Sequence, residues 1–460
     1  MLEGMNTVAI LRKALAAGGE FAEIYLEEGS STQIVAEDGR VEKVLGITDR
    51  GVSIRVISDF RTAFGYTNEV TERSLLELAG SVSRGIKEGR FGQNIVRAIR
   101  NVAAGDPVRL HPAAIPLENK VALVVEAEKA ARGFSPSVRQ AMALYRDGVA
   151  KIQVVNSLGE FTECSRIGTM FASQVVAEDA GVLQTGYESA GACRGFELFD
   201  EKSAVDIALA AAGRAVMMLK ADRVRGGRMP VVLSSEAGGT MVHEAIGHGL
   251  EADLVQGGTS VYRGRIGEQV ASTLVSVIDD ATIPYARGSF PFDSEGVPGQ
   301  RSVLVENGIL KGYLYDRLTA MKDGVKSTGN GRRESYSARP IVRMSNTLIA
   351  PGATPPEEIV KAVPDGLFVR KMGGGQVNTV TGEFMFEVSE GYLIRNGSVC
   401  EPVRGATLTG NGPDVLKSIM MVGTDLGFGI GTCGKDGQGV PVADAQPTLL
   451  ISDMTVGGAV

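Results

Sequence analysis

Residues 304–314 (LVENGILKGYL) and residues 393–403 (LIRNGSVCEPV) each place an Asn-Gly pair between two short apolar runs. Asn-Gly favours the positive backbone angles of a two-residue hairpin turn, so each stretch predicts a pair of antiparallel strands. Short apolar runs and turn residues continue from residue 223 to the end, apart from one helix expected near residues 238–250. The second half is therefore predicted to be largely antiparallel β-structure with a single helix.

The first half alternates between helical and strand patterns. Helical spacing of apolar residues appears in four segments: residues 6–17, Glu69–Ile86 with Thr71 or Ser74 near its start, Leu117–Arg132 and Lys202–Ala221. Strands are expected at Phe21–Leu26, Thr32–Ala36, Val41–Val44, Val52–Ile57, Val138–Val155, Thr162–Ala177 and Gly181–Tyr187. Turns are expected at Glu37–Arg40, Asp147-Gly148 and Leu158-Gly159. This mixture predicts an α/β organisation before residue 222.

A charged, glycine-containing segment, Asp222–Met229, separates the two patterns and predicts a domain junction. A mixed α/β N-terminal domain would then span residues 1–222, and a β-rich C-terminal domain would span residues 223–460. An ordinary surface loop inside one domain would have the same composition. Both arrangements give an α+β fold class.

Composition restricts the possible partners and the cellular compartment. The chain carries 47 Lys and Arg against 54 Asp and Glu, so 47 − 54 gives a net charge of −7, which offers no electrostatic attraction to nucleic acid or an anionic membrane. Four dispersed cysteines without a C-x-x-C pair predict no disulfide framework. With no apolar stretch long enough to span a bilayer, a cytoplasmic protein is the expectation.

Two of the three histidines stand in one motif, His243-Glu244-Ala245-Ile246-Gly247-His248. Two imidazoles on one helix commonly hold zinc, and a neighbouring glutamate can act as a general base. The spacing here is five residues, which places the two side chains roughly 140° apart on an ideal α-helix. A π turn, which bonds residue i to residue i+5, would bring them to one face.

Glycines would allow this irregular helix. Gly247 could tolerate the distortion at low steric cost, and Gly238-Gly239 permits a tight entry to the helix. The spacing alone leaves an alternative open, in which His243 is a core residue and His248 caps the helix near Gly249.

A catalytic zinc site needs a third protein ligand. Cys433 is the best candidate, because it lies in a glycine-rich segment and Lys435 would favour its thiolate. His111 precedes a proline in a loop of the first half and is expected at the surface. The remaining thiols are expected to be buried and structural: Cys164, Cys193 and Cys400. Two acidic residues could be ligands or, more plausibly, acceptors that fix the imidazole tautomers: Glu251 and Asp253.

The sequence resembles the TldD/PmbA family of zinc peptidases, on the TldD side. Together with a weaker N-terminal match, five stretches carry the resemblance: Ser234–Asp253, Phe290–Arg301, Gly329–Arg339, Gly373–Gly382 and Gly431–Val442. The family more often has glycines where this chain has Val442–Gln446, a departure that concerns only the local loop shape.

The resemblance implies a zinc metallopeptidase whose C-terminal domain is catalytic. One Zn²⁺ per active subunit would be held by His243, His248 and Cys433, with Glu244 as general base. PmbA-type paralogues lack the motif, so the chain would be a metal-bearing subunit of a dimer, either with an identical chain or with a metal-free paralogue. The expected substrates are unfolded or extended peptides, hydrolysed with low sequence selectivity.

Residues that bind the substrate are harder to identify. The Gly373-Gly374-Gly375 run could let an extended peptide approach the backbone, although a turn would have the same composition. Arg332 or Arg333 could bind a peptide carboxylate or hold Glu334, and Tyr336 could donate to the oxyanion. Two other functions stay open: a non-catalytic assembly or binding subunit stabilised by metal, and a metal-dependent hydrolase of a non-peptide amide.

Overall fold

The computed structural model describes residues 2–86, 99–103 and 107–458, and its fold is α+β, as predicted. The α-helices are Thr7–Ala14, Glu72–Arg84, Leu117–Arg132, Leu198–Glu201, Ala204–Leu219, Thr240–Val242, Ala252–Gly257, Arg317–Asp323, Pro356–Lys361 and Gly412–Lys417. Short 3-10 helices are Leu2–Gly4, Pro112–Ala114, Ser235–Ala237 and His248–Leu250, and one π-helical turn spans His243–Gly247. Among the described residues, no helix is both long and apolar enough to cross a membrane.

A seven-stranded sheet, here the N-terminal sheet, organises the first half. Its strands are Phe21–Glu37, Arg40–Ser58, Arg61–Thr67, Ile99–Ala103, Val138–Asn156, Glu160–Asp179 and Val182–Ala192. Helices Leu117–Arg132 and Ala204–Leu219 pack against each other and against this sheet through an alanine-rich core. Leu117–Arg132 has the bounds that its periodicity predicts.

The strands of this sheet are longer than predicted, and one predicted turn is wrong. Asp147-Gly148 lies inside the strand Val138–Asn156, where Asp147 pairs with Thr32 on one side and Thr169 on the other. The Asp147 carboxylate is buried and accepts hydrogen bonds from Lys120 and from the Tyr145 hydroxyl. These tertiary partners satisfy the aspartate within a strand, which local turn preference does not anticipate.

The second half contains the other sheets. A six-stranded sheet comprises Val277–Asp280, Arg301–Glu306, Ile309–Leu310, Asn346–Ile349, Gly427–Lys435 and Gln438–Gln446. An eight-stranded sheet comprises Asp222–Arg223, Gly227–Leu233, Asp365–Val377, Glu383–Arg395, Ser398–Arg404, Thr407–Asn411, Ile419–Val422 and Leu449–Gly457. Gly331–Arg332 and Ile341–Val342 form a small ribbon. The described strands of the N-terminal sheet pair with none of these, and the domain junction at Asp222–Met229 stays a prediction.

Both Asn-Gly hairpins form as predicted. Asn307 and Gly308 have φ of 49° and 80°, and Asn396 and Gly397 have φ of 49° and 72°, which are the positive angles of a type I′ turn. Antiparallel pairs dominate the second half, although three of its strand pairs are parallel. Four unpredicted helices of six or seven residues also occur there, because such lengths are too short to show helical periodicity.

Buried ion pairs join the two halves. The Glu23 carboxylate of the N-terminal sheet accepts hydrogen bonds from Arg55 at 3.0 Å and from Arg333 at 2.6 Å, and Arg55 also pairs with Glu295. All four side chains are at most 3% exposed. Burial alone would raise the pKa of Glu23, but Arg55 and Arg333 outweigh it and hold that pKa below its ordinary value. Glu23 therefore stays ionised between two arginines.

Removing one member of this cluster should destabilise the protein. Arg333→Met would leave Glu23 with one fewer cation in a buried site, so we expect a loss of about 3–5 kcal/mol in the free energy of unfolding. Urea-induced unfolding monitored by fluorescence and circular dichroism measures it. Arg73→Met is the control, because the Arg73 side chain is 90% exposed. An Arg333→Met protein as stable as the control would contradict this role.

Candidate metal centre

The helix that carries both histidines changes its hydrogen-bond pattern at each histidine. It is α-helical over Thr240–Val242, π-helical over His243–Gly247 and 3-10 over His248–Leu250. The His248 N–H donates to the His243 carbonyl, which is the i to i+5 bond that the five-residue spacing predicts. The two imidazole rings consequently lie on the same side, with centroids 4.9 Å apart and planes at 88°.

The glycines serve this helix in two different ways. Gly238 has φ 70° and ψ −178°, a conformation open only to glycine, so the predicted tight entry is confirmed. Gly247 has φ −55° and ψ −56°, which any residue adopts in a helix, so the prediction that it absorbs backbone distortion is wrong. Glycine is required there because a Cβ atom would lie 2.2 Å from the Met344 sulfur.

Two hydroxyl groups hold the irregular turn from outside. The Tyr262 hydroxyl donates to the Ala245 carbonyl at 2.9 Å, and the Ser260 hydroxyl donates to the Gly249 carbonyl at 2.5 Å. Both donors are buried, and burial raises the pKa of Tyr262 well above its ordinary value. A change of helical pitch disturbs backbone pairing, and these bonds satisfy carbonyl groups on either side of His248.

Cys433 meets both imidazoles. It lies in the C-terminal hairpin, which consists of strands Gly427–Lys435 and Gln438–Gln446. Its sulfur is 3.2 Å from Nε2 of His243 and 3.3 Å from Nε2 of His248, and the three atoms lie within 4.8 Å of one another. Ligand atoms of a tetrahedral zinc ion with two Zn–N bonds and one Zn–S bond are about 3.5 Å apart. The three side chains therefore fit a zinc ion by both chemistry and spacing.

Carboxylates fix the far nitrogen of each ring. His243 Nδ1 is 2.7 Å from Asp444 Oδ1, and His248 Nδ1 is 2.9 Å from Glu251 Oε2. A proton on each Nδ1 then leaves both Nε2 lone pairs directed at the sulfur, which is the usual outer arrangement of a metal-bound imidazole. Glu251 was expected in this role. Asp444 was not anticipated, since it comes from strand Gln438–Gln446, a segment expected to be a loop.

Lys435 does not act on Cys433 as the sequence suggested. Its ammonium group pairs with Glu251 at 3.1 Å and with Asp253 at 2.7 Å, so it supports the carboxylate behind His248. Asp253 accordingly contacts the lysine and not a histidine. Burial opposes a thiolate at Cys433. Without a metal ion, protonated imidazoles of His243 and His248 donate hydrogen bonds to the sulfur and carry positive charge, and they lower the pKa of the thiol to about 5.

Glu244 lies beside this cluster and is half-buried. Burial raises the pKa of its carboxyl, and the nearby imidazoles of His243 and His248 oppose that rise. Among the described residues, no hydrogen bond holds its carboxylate. A carboxyl group close to both rings and without a protein partner is available to a water molecule or a substrate.

The other histidine and the other thiols lie outside the cluster. His111 is exposed, as predicted, and its Nδ1 accepts a hydrogen bond from the Ala113 N–H. Cys164 is buried as expected, whereas Cys400 is exposed, so its assignment as a buried structural thiol is wrong. No disulfide forms among the described residues.

The glycine run predicted to approach substrate lies in strand Asp365–Val377. A Cβ on Gly375 would fall 1.9 Å from the Phe386 ring, so packing explains that glycine. A Cβ on Gly373 would contact Glu387 at 3.2 Å, and around Gly374 there is open space. The run is thus part of an extended strand and not a turn, with one position accessible from outside.

Two arginines predicted to bind a substrate carboxylate are occupied differently. Arg332 donates to the carbonyls of Met344 and Pro441, and Arg333 pairs with Glu23. Within the described part of the chain, no hydrogen bond links either guanidinium to Glu334, so that prediction is wrong. Binding of a peptide carboxylate by Arg333 is disfavoured because its charge is already matched.

Tyr336 was a candidate donor to the oxyanion. Its hydroxyl donates to Asp49 Oδ1 at 3.2 Å, and its ring packs on Gly51 of the N-terminal sheet. The phenol is thereby committed to a contact with the first half of the chain, and an oxyanion role for it stays a prediction.

Three family models together match most of the chain. Residues 22–92 match domain 1, residues 110–219 the central domain and residues 226–458 the C-terminal domain of PmbA/TldA metallopeptidases. Two solved structures share the fold. A Thermotoga maritima protein described as a candidate modulator of a DNA gyrase has a TM-score of 0.80 and 24% identity, and the match covers 95% of this chain and 96% of that one. TldE from Thermococcus kodakarensis has a TM-score of 0.71 and 18% identity, and the match covers 97% of this chain and 99% of that one.

Curated relatives match over nearly their whole length. A metalloprotease TldD homologue of Haemophilus influenzae is 37% identical, covering 95% of this chain and 93% of the relative. A metalloprotease of Methanothermobacter thermautotrophicus is 34% identical, with 95% and 96% covered, and a zinc metalloprotease TldD homologue of Saccharolobus solfataricus is 27% identical, with 98% and 99% covered. On these matches, the chain belongs to the PmbA/TldD family of metallopeptidases.

Proposed function

We propose that the chain is a zinc-dependent peptidase that hydrolyses unfolded or extended peptides with low sequence selectivity. In this proposal His243, His248 and Cys433 hold the ion, and Glu244 is the general base. The observation that carries the proposal is the convergence of two Nε2 atoms and one sulfur, with each imidazole fixed from behind by a carboxylate.

The number of ligands supports a catalytic site over a structural one. Structural zinc sites usually have four protein ligands, whereas catalytic sites keep one position for water or substrate. Among the described residues, no fourth His, Cys, Asp or Glu joins the three that converge. A non-catalytic assembly subunit would have no use for that open position or for the adjacent Glu244.

The reaction divides between the ion and the protein. When bound, zinc would polarise the peptide carbonyl and acidify the attacking water. Glu244 would take a proton from that water on its carboxylate and return the proton to the leaving nitrogen. Burial raises the pKa of Glu244, which favours the return of the proton to the leaving nitrogen. Asp444 and Glu251 would keep both imidazoles in the Nδ1–H form throughout.

An exposed strand edge near the metal centre offers a site for an extended substrate. Strand Asp365–Val377 pairs with Gly227–Leu233 only through residues 367–369, so among the described residues its edge from 371 to 377 has no strand partner on that side. This strand contacts the π turn. A peptide added along the edge, past Gly374, would be held mainly by main-chain hydrogen bonds, which explains low selectivity.

The compartment and the oligomeric state belong to the same proposal. Few cysteines and no described disulfide suit the cytoplasm. A TldE structure has the same fold, so a second chain of this fold is the proposed partner, either an identical chain or a metal-free paralogue.

Zinc content tests the ligand set. The purified protein should contain about one zinc ion per chain, and Cys433→Ser should lower zinc affinity at least about tenfold, since serine is a poor zinc ligand. Inductively coupled plasma mass spectrometry and competition with a chelating dye measure both quantities. Cys400→Ser, which changes an exposed thiol, should keep its zinc. Full zinc binding by Cys433→Ser would remove the thiolate from the site.

Hydrolysis tests the base. Glu244→Gln should keep its zinc and lose about 10²–10⁴-fold in rate on an unfolded, fluorogenic peptide. Glu268→Gln, on an exposed side chain that is 57% accessible, should behave as the unsubstituted protein. Undiminished hydrolysis by Glu244→Gln would contradict the assignment. Activity on small amides but not on peptides would favour a non-peptide amide substrate.

A third variant tests the carboxylate behind His243. Asp444→Asn should lower zinc affinity about 10–100-fold, because the amide cannot supply the negative charge that orients and polarises the imidazole. Asp436→Asn is the matched control, since Asp436 is the exposed turn residue of the same hairpin. Equal zinc affinities for the two variants, measured by chelator competition, would show that Asp444 does not support the site.

A further inference from the structure

A large cavity lies between the N-terminal sheet and the C-terminal hairpin. Its volume is about 900 Å³, and residues from both halves line it. Four arginines are among the lining residues: Arg146, Arg166, Arg287 and Arg332. The cavity is separate from the proposed zinc ligands, none of which lines it.

Three of these guanidinium groups have only neutral partners among the described residues. Arg287 donates through Nε to the Gly431 carbonyl at 3.3 Å. Arg332 donates to the carbonyls of Met344 and Pro441, and Arg166 donates to the Phe292 carbonyl at 3.0 Å. Within the described part of the chain, none of the three has a carboxylate oxygen within 4.0 Å. Their positive charges are therefore not matched by an ion pair inside the described protein.

Three buried arginines elsewhere in this chain pair with carboxylates, whereas the fully buried Arg343 donates to the carbonyls of Gln438 and Cys433. Arg55 and Arg333 pair with Glu23, and Arg214 pairs with Glu188 and Glu390. Arg332 is as buried as these residues, at 3% exposed, and among the described residues its Nε, like those of Arg55 and Arg333, has no hydrogen-bond partner. The Nε of Arg166 is also buried without a partner. Unmatched charge and unmet donors in a buried wall are costly unless something else occupies the cavity.

The arginines are close to one another. The guanidinium carbons of Arg332 and Arg166 lie 5.1 Å and 5.6 Å from the centroid of the same Phe290 ring. Burial lowers the pKa of Arg332 to about 9, and the charge of Arg166 adds to that effect. Burial likewise lowers the pKa of Arg287, with Arg146 contributing. Mutual repulsion of this kind is what an anion would relieve.

Four acidic residues also line the cavity, and within the described part of the chain only Asp147 of these forms an ion pair, with Lys120. Glu27 accepts from the Tyr25 hydroxyl, and Asp49 accepts from the Tyr336 hydroxyl. Asp147 accepts a hydrogen bond from the Lys120 ammonium group, and Glu334 accepts one from the Gly439 N–H. Among the described residues, none of these carboxylates forms an ion pair with Arg287 or Arg332, so both guanidinium groups stay available to a further carboxylate.

The C-terminal hairpin separates the cavity from the metal centre. Thr432 lines the cavity, whereas the next residue, Cys433, faces the two histidines, because successive side chains of a strand point to opposite faces. Arg287 binds the carbonyl of Gly431, and Arg332 binds the carbonyl of Pro441, the residue paired with Thr432. The guanidinium groups are thus anchored within two residues of Cys433 along the hairpin.

We propose that this cavity binds one carboxylate of a peptide through Arg287 or Arg332, so that a peptide carrying this carboxylate binds more tightly than its neutral counterpart. The identification of the ligand as a peptide rests on the proposed peptidase function. The cavity is far larger than an isolated anion needs, and strands and apolar side chains such as Ile47, Ile167 and Phe290 line it, which suits a chain segment. A guanidinium group gives charge-assisted hydrogen bonds to a carboxylate.

Equilibrium binding tests the proposal without requiring turnover. Four labelled peptides of one sequence carry either Glu or Gln at a central position and either a free or an amidated C-terminus. Fluorescence anisotropy with zinc-loaded Glu244→Gln protein measures their affinities. We expect a charged peptide to bind at least about tenfold more tightly than the fully neutral peptide. Comparison of the two singly charged peptides shows whether a side chain or the C-terminus supplies the carboxylate.

Arg287 is the residue to change, because among the described residues its side chain makes one hydrogen bond, and the loss of that bond should leave the fold intact. Arg287→Gln or Arg332→Gln in the same background should abolish the preference for charge, Arg287→Lys should retain at least part of it, and Arg73→Gln should retain all of it. Thermal unfolding confirms that each variant is folded. Equal binding of charged and neutral peptides, or an unchanged preference in both folded Arg287→Gln and folded Arg332→Gln, would overturn the proposal.

The same measurements separate this proposal from the proposed function. A protein that hydrolyses nothing but binds acidic peptides through Arg287 would refute the peptidase and leave the carboxylate site standing. A protein that hydrolyses charged and neutral peptides with equal KM and binds them equally would refute the carboxylate site and leave the peptidase standing.

Discussion

One hydrogen bond, from the His248 N–H to the His243 carbonyl, decides whether the two imidazoles can share an ion. In an uninterrupted α-helix, residues five apart diverge by roughly 140°. The single π turn removes that divergence, and the two Nε2 atoms then face the same sulfur. Other contacts around the site hold this turn in place, as the Tyr262 hydroxyl does, or orient the two imidazole rings, as Asp444 and Glu251 do.

The turn is maintained by packing that allows no simple relaxation. Gly247 lies against Met344, so the helix approaches the segment that contains Met344 more closely than a side chain at position 247 would permit. Tyr262 holds the Ala245 carbonyl, and the apolar face of the helix joins the largest core cluster through Val242 and Ile246. A helix free in solution would revert to α-helical pairing, because that pattern is the more stable one. The surrounding core therefore stabilises a geometry that the local sequence only permits.

The sequence predicted what local pattern determines and missed what the tertiary fold decides. Helix Leu117–Arg132, both Asn-Gly hairpins and the π turn follow from periodicity or spacing within one segment. Asp444 could not be found in this way, because its contact with His243 spans 201 positions and depends on strand pairing. The prediction that Lys435 favours the Cys433 thiolate was wrong for the same reason. Its closeness to Cys433 in sequence gives no information about Glu251 and Asp253, the carboxylates that it contacts in the fold.

Arg332 and Arg333 are adjacent in sequence but have different kinds of partner. Strand-like alternation sends them to opposite sides, and Arg333 reaches Glu23, whereas Arg332 reaches only carbonyl groups. A matched charge joins the two halves of the protein, and an unmatched charge beside it gives the cavity between those halves its affinity for an anion.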